Sequence, residues 1–215
     1  MLTLYDYYRS SACYRVRIAL QLKGLDYQTK TVHLINNEGE QFGDDYKKIN
    51  PHCLVPTLLH DVHTLNQSLA IIEYLNELHP APPFLPIDPL KKAQVRAFAL
   101  SLASDIHPLN NLRVTKYLTQ KLQISEIQKK EWYQHWLSLG LSALEKQLAA
   151  LNTAKDFCFG NQPTLADICL VPQMYNARRF SCDTSLYPLL KAIDENCRQH
   201  EAFIAAEPKE PEIIK

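Results

Sequence analysis

The sequence predicts an α+β protein in which a mixed domain of strands and helices precedes an all-helical domain. Strand and helix patterns alternate before residue 80, and only helical spacing follows residue 90. Between them, five of the thirteen prolines lie within the ten residues from Pro80 to Pro89. Because proline lacks a backbone donor and fixes φ, it interrupts helices and central strands. We therefore predict domains over residues 1–80 and 90–215, joined by a proline-rich linker over 81–89.

The first domain is predicted to follow the order β-α-β-α-β-β-α. Short β-rich runs alternate with segments of helical periodicity, and Gly24 gives a stop signal for the first helix. A two-residue turn at His60-Asp61 separates two β-rich runs and predicts a hairpin. The predicted elements are a strand at 2–5, a helix at 13–23, a strand at 27–34, a weak helix at 38–48, hairpin strands at 56–59 and 62–65, and a helix at 68–78.

The second domain is predicted from apolar residues at helical spacing. Such residues recur over 95–109 and again over 137–151. Thr164 with Asp167 three residues later is typical of a helix start, because the two side chains satisfy free N–H groups of the first turn. One or two further short helices are expected over 187–206, and no strand is predicted in this half.

Composition excludes several classes of protein. The five glycines form neither a dinucleotide-binding loop nor a phosphate loop. Lysine plus arginine balances aspartate plus glutamate at 23 each, so a nucleic-acid partner is not expected. No apolar run approaches the roughly 18 residues of a membrane span, and we expect neither a membrane partner nor a targeting segment. The six cysteines form no C-x-x-C motif, so we expect free thiols in a reducing cytoplasm.

Candidate binding residues lie where the predicted first-domain elements begin. A proline leading the third strand, here Pro56, is typical of a thioredoxin-like arrangement, and such a proline is often cis, which exposes the backbone of the preceding residue. An ordinary trans proline on an edge strand is the alternative. Ser10 to Cys13 replaces the C-x-x-C of a thiol oxidoreductase, so paired-thiol exchange is excluded. Ser10, Ser11 and Ser68 stand at helix starts, where they either cap the helix or stabilise an anion.

Several segments resemble, in the same order, motifs of the zeta-class glutathione transferases. They are residues 8–20, 50–51, 54–58, 67–75, 107–113, 164–173 and 176–180. The resemblance runs over essentially the whole chain and implies the glutathione transferase fold, a thioredoxin-like domain followed by a helical one. It also implies a homodimer with glutathione as cofactor and no metal. The best-known members of this class are maleylacetoacetate isomerases, and close bacterial relatives are maleylpyruvate isomerases.

The resemblance further implies roles for individual residues. Ser10 and Ser11 would address the glutathione sulfur, and Val55 would pair with the cysteinyl backbone. Three arginines are the candidates that would bind a small dicarboxylate substrate, although each is also compatible with a solvated surface position. The remaining assignments are Gln41 for the glutathione backbone, Gln67 and Ser68 for the γ-glutamyl end, His107, Asn111 and Arg113 for closing the site, and Arg9, Arg113 and Arg179 for the substrate.

The implied reaction is the cis–trans isomerisation of maleylacetoacetate to fumarylacetoacetate in tyrosine and phenylalanine catabolism. Reversible addition of the glutathione thiolate would leave a single bond free to rotate. The alternatives are isomerisation of maleylpyruvate, conjugation or dehalogenation of α-halo acids, and a non-catalytic binding module. One position departs from the class. Many members have Ser-Ser-Cys-Ser, whereas this chain has Ala12 and carries Cys13 one position later, so any role of a thiol at the earlier position is in doubt.

Overall fold

The structure is a computed structural model that describes residues 1–209, apart from the side chain of Asn37. The chain divides into two compact units, one of Met1–Pro83 with the chain from Glu201 onward, and one of Phe84–His200. The α+β class is confirmed: a four-stranded sheet with helices lies in the first unit, and the described residues of the second unit form helices, loops and two isolated β-bridges.

The first unit has the predicted order β-α-β-α-β-β-α. Its sheet has the strand order β2-β1-β3-β4, with β1 and β2 parallel and the other pairs antiparallel. Leu4 of the central strand β1 pairs with Thr29 of β2 on one side and with Leu58 of β3 on the other. The elements are β1 (Leu2–Asp6), α1 (Ser11–Leu22), β2 (Gln28–Thr31), α2 (Asp44–Ile49), β3 (Thr57–His60), β4 (His63–Asn66) and α3 (Ser68–Leu78).

The predicted helix over 38–48 is wrong in its first half. Two short 3-10 turns, Asn36–Glu38 and Glu40–Phe42, precede α2. Gly39 separates them with a φ of 106°, a backbone conformation that interrupts a helix and that glycine adopts without steric cost. The segment is therefore a loop that turns twice before α2 begins.

A buried ion pair ties the end of the described chain to the first unit. Arg17 of α1 donates from Nη1 to Asp6 of β1 at 2.6 Å, and its Nε donates to the carbonyl oxygen of Ala206 at 3.0 Å. Ala206 ends the last described helix, α10 (Glu201–Ala206), which packs on α1. The domain prediction placed this helix in the second domain, and these contacts explain why the structure groups it with the first unit instead.

The second unit contains six helices among its described residues, with the long α7 packing against several of the others. Their starts follow the expected chemistry, since capping boxes join Ser125 to Gln128 and Thr164 to Asp167. The buried residues of α7 are Tyr133, Leu137, Leu141, Leu144 and Leu148. The helices are α4 (Pro89–Leu100), α5 (His107–Leu109), α6 (Leu112–Gln120), α7 (Glu126–Leu151), α8 (Leu165–Arg179) and α9 (Pro188–Cys197).

The helical spacing predicted over 95–109 is interrupted by a π-helix. Residues Ser101–Ile106 take this wider form between α4 and α5, and the N–H of His107 donates to the carbonyl of Leu102. A π-helix in this position re-aims the residues that follow it, and such segments are frequent at functional sites. Gly140 of α7 allows the close approach, because a Cβ there would stand 2.2 Å from Cδ1 of Ile106.

None of the helices among the described residues is long and apolar enough to cross a membrane.

Candidate active site

The start of helix α1 carries two serine hydroxyls. Ser10 is the N-cap, and its Oγ accepts a hydrogen bond from the N–H of Cys13 at 3.3 Å. Its own N–H donates to the carbonyl of Tyr7 at 2.9 Å, which fixes the turn into the helix. Because Oγ acts as an acceptor in this cap, its O–H proton is available to donate. Ser10 is half-buried and Ser11, the first helical residue, is buried. The Ser10 hydroxyl and the positive end of the helix dipole together suit a bound thiolate.

Cys13 does not supply a reactive thiol at this helix start. Its side chain is completely buried, and its sulfur accepts the N–H of Tyr7 at 3.5 Å. Burial, with the nearby Asp6 carboxylate as a smaller cause, raises the pKa of the Cys13 thiol far above its usual value. Since the thiolate is the nucleophilic form, Cys13 cannot take over the role of a cysteine at position 12. The departure noted in the sequence is therefore a real loss of a thiol from this surface.

The Val55–Pro56 peptide bond is cis, as the sequence predicted. The β-ladder begins at Thr57, so the main-chain groups of Val55 lie outside it and suit pairing with an extended peptide ligand. Asn50 holds this segment: its Nδ2 donates to the carbonyl of Leu54 at 2.7 Å and to Thr57 Oγ1 at 3.1 Å.

Tyr46 of α2 completes this support. Its hydroxyl donates to the same Leu54 carbonyl at 2.7 Å and lies 3.0 Å from Thr57 Oγ1. Burial raises the pKa of Tyr46 to about 12, so the phenol keeps its proton and stays a donor. Tyr46 of α2 and Asn50, the C-terminal cap of that helix, thus fix the segment that presents Val55 before β3.

The start of α3 is arranged differently from the prediction. Gln67, not Ser68, is the N-cap, and it makes no side-chain cap bond. Its φ of 69° lies in the left-handed region, which costs a non-glycine residue about 1–3 kcal/mol and concentrates at ligand-binding positions. The side chain of Gln67 is exposed, whereas Ser68 is the first helical residue and is buried. The Ser68 hydroxyl is therefore free of capping and accepts a bond from another element.

That bond comes from Arg15, a residue the sequence analysis did not assign to the site. Nη1 of Arg15 donates to Ser68 Oγ at 3.0 Å, and Arg15 is buried in α1. A buried cation beside a helix N-terminus is suited to bind a carboxylate. The available signal was spacing, because Arg15 follows Ser11 by four residues and so lies on the same helix face.

Gln41 contributes an unsatisfied acceptor. It is buried in the loop before α2, and its Oε1 has no hydrogen-bond partner among the described residues. Its amide packs against Gly39, where a Cβ would stand 2.6 Å from Nε2. Buried polar atoms are nearly always paired in native proteins, so this oxygen fits a ligand N–H. Glutathione is a tripeptide with amide donors, carboxylates and a thiol, and the first-unit residues fit each of these groups.

Arg9 is held on two aromatic rings. Its Nη2 donates to the hydroxyl of Tyr7 at 3.1 Å, and its guanidinium carbon lies 5.0 Å from the centre of the Tyr8 ring. Stacking of this kind fixes the plane of the guanidinium. The arrangement gives Arg9 a defined orientation directly before Ser10.

Three further predicted residues meet in the second unit, where the π-helix ends. His107 starts α5, and its Nε2 lies 3.4 Å from Nδ2 of Asn111. Asn111 caps α6 by accepting the N–H of Arg113 at 3.0 Å, while the Arg113 side chain is exposed. Trp132 of α7 supports the segment by donating from Nε1 to the carbonyl of Leu109 at 2.9 Å.

Arg179 occupies another position in the second unit, as the last residue of α8. Its guanidinium carbon lies 5.2 Å from the centre of the Phe180 ring, which stacks on Tyr133 at 3.6 Å between centroids. The side chain is exposed, whereas the neighbouring Arg178 forms an ion pair with the buried Asp194. The two adjacent arginines therefore differ in their partners.

The predicted residues thus form two sets, one in each unit. Those of the first unit, joined by Arg15, stand around two helix starts and a cis-proline segment. Those of the second unit are His107, Asn111 and Arg113 in one segment, with Arg179 at the end of α8.

Comparison with known proteins identifies the class. The family model described as "Glutathione S-transferase, N-terminal domain" matches residues 9–78, and the model of the C-terminal domain matches residues 130–201. The chain belongs to the glutathione S-transferase family.

Several similar proteins carry names from one part of that family. A probable maleylacetoacetate isomerase of Vibrio cholerae is 49% identical over 97% of this chain and 96% of its own length. The holo structure of a maleylpyruvate isomerase, described as a bacterial zeta-class glutathione S-transferase, is 42% identical with a TM-score of 0.94, covering 98% of this chain and 99% of that one. A maleylacetoacetate isomerase from Anaeromyxobacter dehalogenans, solved with bound GSH, is 41% identical with a TM-score of 0.86, covering 100% and 98%. The zeta-class resemblance is confirmed.

Proposed function

We propose that this protein is a glutathione-dependent cis–trans isomerase that converts maleylacetoacetate to fumarylacetoacetate in tyrosine and phenylalanine catabolism. One structural observation carries the proposal: serine-bearing helix starts stand with a cis-proline segment in a single unit, as an extended anionic peptide requires. Relatives named for this activity cover nearly the whole chain. Glutathione supplies a thiol whose ionised form adds reversibly to a conjugated double bond.

Each first-unit residue has a proposed task toward glutathione. The Ser10 hydroxyl donates to the sulfur, and the amides at the start of α1, where Ser11 stands, favour the ionised form. Gln41 accepts a ligand N–H through its unpaired Oε1. Val55 offers its main-chain groups, and Gln67 and Ser68 bind the γ-glutamyl end, with the buried Arg15 adding positive charge there.

The arginines and polar residues act on the substrate. Arg9, Arg113 and Arg179 bind its carboxylates, because a guanidinium presents two parallel donors to a carboxylate. His107 and Asn111 donate to the oxygen on which negative charge develops when the double bond opens. The exposure of Arg113 and Arg179 supports this task, since neither is engaged in an ion pair among the described residues.

Maleylpyruvate isomerisation is the second candidate. A zeta-class structure at a TM-score of 0.94 carries that name, and both substrates are small dicarboxylates with a cis double bond. Conjugation or dehalogenation of α-halo acids is the third candidate. It needs the same thiolate, but no second group that binds a carboxylate of the substrate.

Turnover of the three substrate classes separates these candidates. We expect kcat/KM for maleylacetoacetate to exceed that for maleylpyruvate and for an α-halo acid, and turnover to vanish when glutathione is removed. A higher kcat/KM for maleylpyruvate would make the second candidate the function. Turnover without glutathione would refute the mechanism for all three.

We also propose that the protein is a homodimer. Helix α4 exposes an apolar face of residues at spacings of three and four, formed by Leu90, Ala93, Ala97 and Leu100. Apolar stripes with small residues let two helices approach closely. Sedimentation velocity should give a dimer, and Leu90→Glu with Leu100→Glu should give a monomer. A monomeric wild type would contradict the proposal.

A cytoplasmic location is proposed from the six free cysteines.

A further inference from the structure

His33 bonds both ends of the loop between β2 and α2, the near end through its imidazole and the far end through its main chain. Its Nδ1 accepts the N–H groups of Ile35 at 3.3 Å and Asn36 at 3.0 Å. Its main-chain N–H donates to Glu40 Oε2 at 2.6 Å, and its carbonyl accepts the N–H of Glu40 at 2.8 Å. The two ends of the loop are thus joined through one residue.

The residue that follows this closure is Gln41. Two hydrogen bonds between His33 and Glu40 fix Glu40, and they thereby fix the direction in which the main chain enters Gln41. Gly39 then takes a φ of 106°, and its missing side chain leaves the space that the Gln41 amide fills. The position of the unpaired Gln41 Oε1 therefore depends on the conformation of this loop, which the main-chain bonds between His33 and Glu40 and the imidazole bonds to Ile35 and Asn36 hold together.

The imidazole of His33 also contacts Tyr7, which lies just before the start of α1. Its ring lies 5.1 Å from the ring of Tyr7 in an edge-on contact. The hydroxyl of Tyr7 accepts the hydrogen bond from Arg9, and the carbonyl of Tyr7 accepts the N–H of Ser10. His33 therefore packs on the residue that orients both Arg9 and Ser10.

We propose that His33 is a positioning residue for glutathione binding, which it supports by accepting two backbone N–H groups and so holding the loop that presents Gln41. The inference rests on the proposed function. Because Nδ1 is the acceptor, the neutral ring carries its hydrogen on Nε2. No charge on His33 and no contact between His33 and glutathione is required.

The chemistry makes a specific prediction about replacement. An asparagine side-chain oxygen bonds backbone N–H groups two or three residues further on in Asx turns. His33→Asn should therefore keep the loop closed, whereas His33→Ala leaves two N–H groups without their acceptor. A matched control is His63→Ala, which removes an exposed histidine from β4, outside this loop.

The decisive experiment measures glutathione binding directly, by isothermal titration calorimetry on the full chain. We expect His33→Ala to raise the Kd for glutathione about tenfold, the effect of losing two backbone hydrogen bonds of modest strength. His33→Asn should stay within about threefold of wild type, and His63→Ala should not differ from it.

A second readout follows the loop itself. Hydrogen exchange of the Ile35 and Asn36 amides should be faster in His33→Ala and close to wild type in His33→Asn. Unchanged Kd in His33→Ala, or equal weakening in the Asn variant, would overturn the inference while leaving the proposed function intact. If His33→Ala does not fold, the inference is still tested by hydrogen exchange of the Ile35 and Asn36 amides in wild type and in His33→Asn. Unprotected amides in the wild type would overturn the inference. A wild type that does not bind glutathione would overturn both proposals.

Discussion

Arg15 and Ser68 are 53 residues apart in the chain and are joined by a buried hydrogen bond of 3.0 Å between Nη1 and Oγ. The bond links the α1 helix, which carries Ser10 and Ser11, to the first residue of α3. It places a buried guanidinium beside the helix start where the γ-glutamyl carboxylate is proposed to bind. The pair thereby connects the two helix starts of the proposed glutathione site.

The Arg15–Ser68 pair should control glutathione affinity. Ser68→Ala should raise KM for glutathione about tenfold, and Arg15→Gln about tenfold or more, because hydrogen bonds to charged groups contribute roughly 1.5–3 kcal/mol. The double variant should lose less binding free energy for glutathione than the two single variants lose together, since each single change already breaks the shared bond. Initial rates at varied glutathione test this, with the exposed Arg198→Gln as control. Additive effects would show that the bond is unimportant.

The hydroxyls at the start of α1 should control the ionisation of the glutathione thiol. At least one of Ser10→Ala and Ser11→Ala should lower kcat about 10- to 100-fold while the protein stays folded. Ser10 is the stronger candidate because its oxygen caps the helix as an acceptor and its proton remains to donate. The ultraviolet absorbance of bound thiolate against pH should show a higher thiol pKa in the variant. Full activity in both variants would refute this role.

Cys13 should be dispensable for catalysis. Its thiol is completely buried, and burial raises its pKa, which disfavours the nucleophilic thiolate. Cys13→Ala should keep kcat within about twofold and lose roughly 1 kcal/mol of unfolding free energy, the cost of a small buried cavity. Alkylation by iodoacetamide should not modify Cys13 in the folded protein. Rapid modification accompanied by loss of activity would contradict this expectation.

Arg178 and Arg179 should separate stability from substrate binding. Arg179→Ala should raise KM for the dicarboxylate substrate more than KM for glutathione, because its exposed guanidinium has no ion-pair partner among the described residues. Arg178→Ala should instead lower the unfolding free energy by roughly 1–3 kcal/mol, because it leaves the buried Asp194 carboxylate unpaired. Kinetics and urea unfolding of the two variants test the difference.

The Arg178 effect should also depend on pH. Burial raises the pKa of Asp194 despite the opposing effect of Arg178, and loss of Arg178 should raise it further. A carboxyl whose folded-state pKa is raised binds its proton more tightly in the folded protein than in the unfolded chain. The free energy of unfolding therefore falls as the pH rises and this proton is lost. The destabilisation by Arg178→Ala should therefore be largest at neutral pH and shrink in acid. A destabilisation that grows in acid would contradict the assignment.

The parts of the fold set by local patterns could be predicted from the sequence. The helix over 68–78 was predicted with both ends as observed, and the order of the first seven elements was correct. Capping signals such as Thr164 with Asp167 act within one turn, so they can be recognised without tertiary structure. The cis bond before Pro56 was expected because the surrounding element order favours it.

Features that depend on distant contacts could not be predicted in this way. The π-helix at 101–106 fits against Gly140, which lies 34 residues after Ile106, and apolar spacing alone predicted a continuous helix there. Arg15 was not assigned to the site, because its partner Ser68 lies in another helix. The burial of Cys13, which rules out its reactivity, likewise results from packing of Tyr7, Val32 and Val55 around it.

The most direct test of the account measures whether glutathione is consumed. Maleylacetoacetate should be supplied in about a hundredfold excess over glutathione, with the fumaryl product and the free thiol followed together. We expect complete conversion of the substrate and full recovery of glutathione, because the thiolate leaves after each rotation. Conversion that stops once the glutathione is exhausted would identify a conjugating transferase. Conversion at the same rate without glutathione would contradict the central claim.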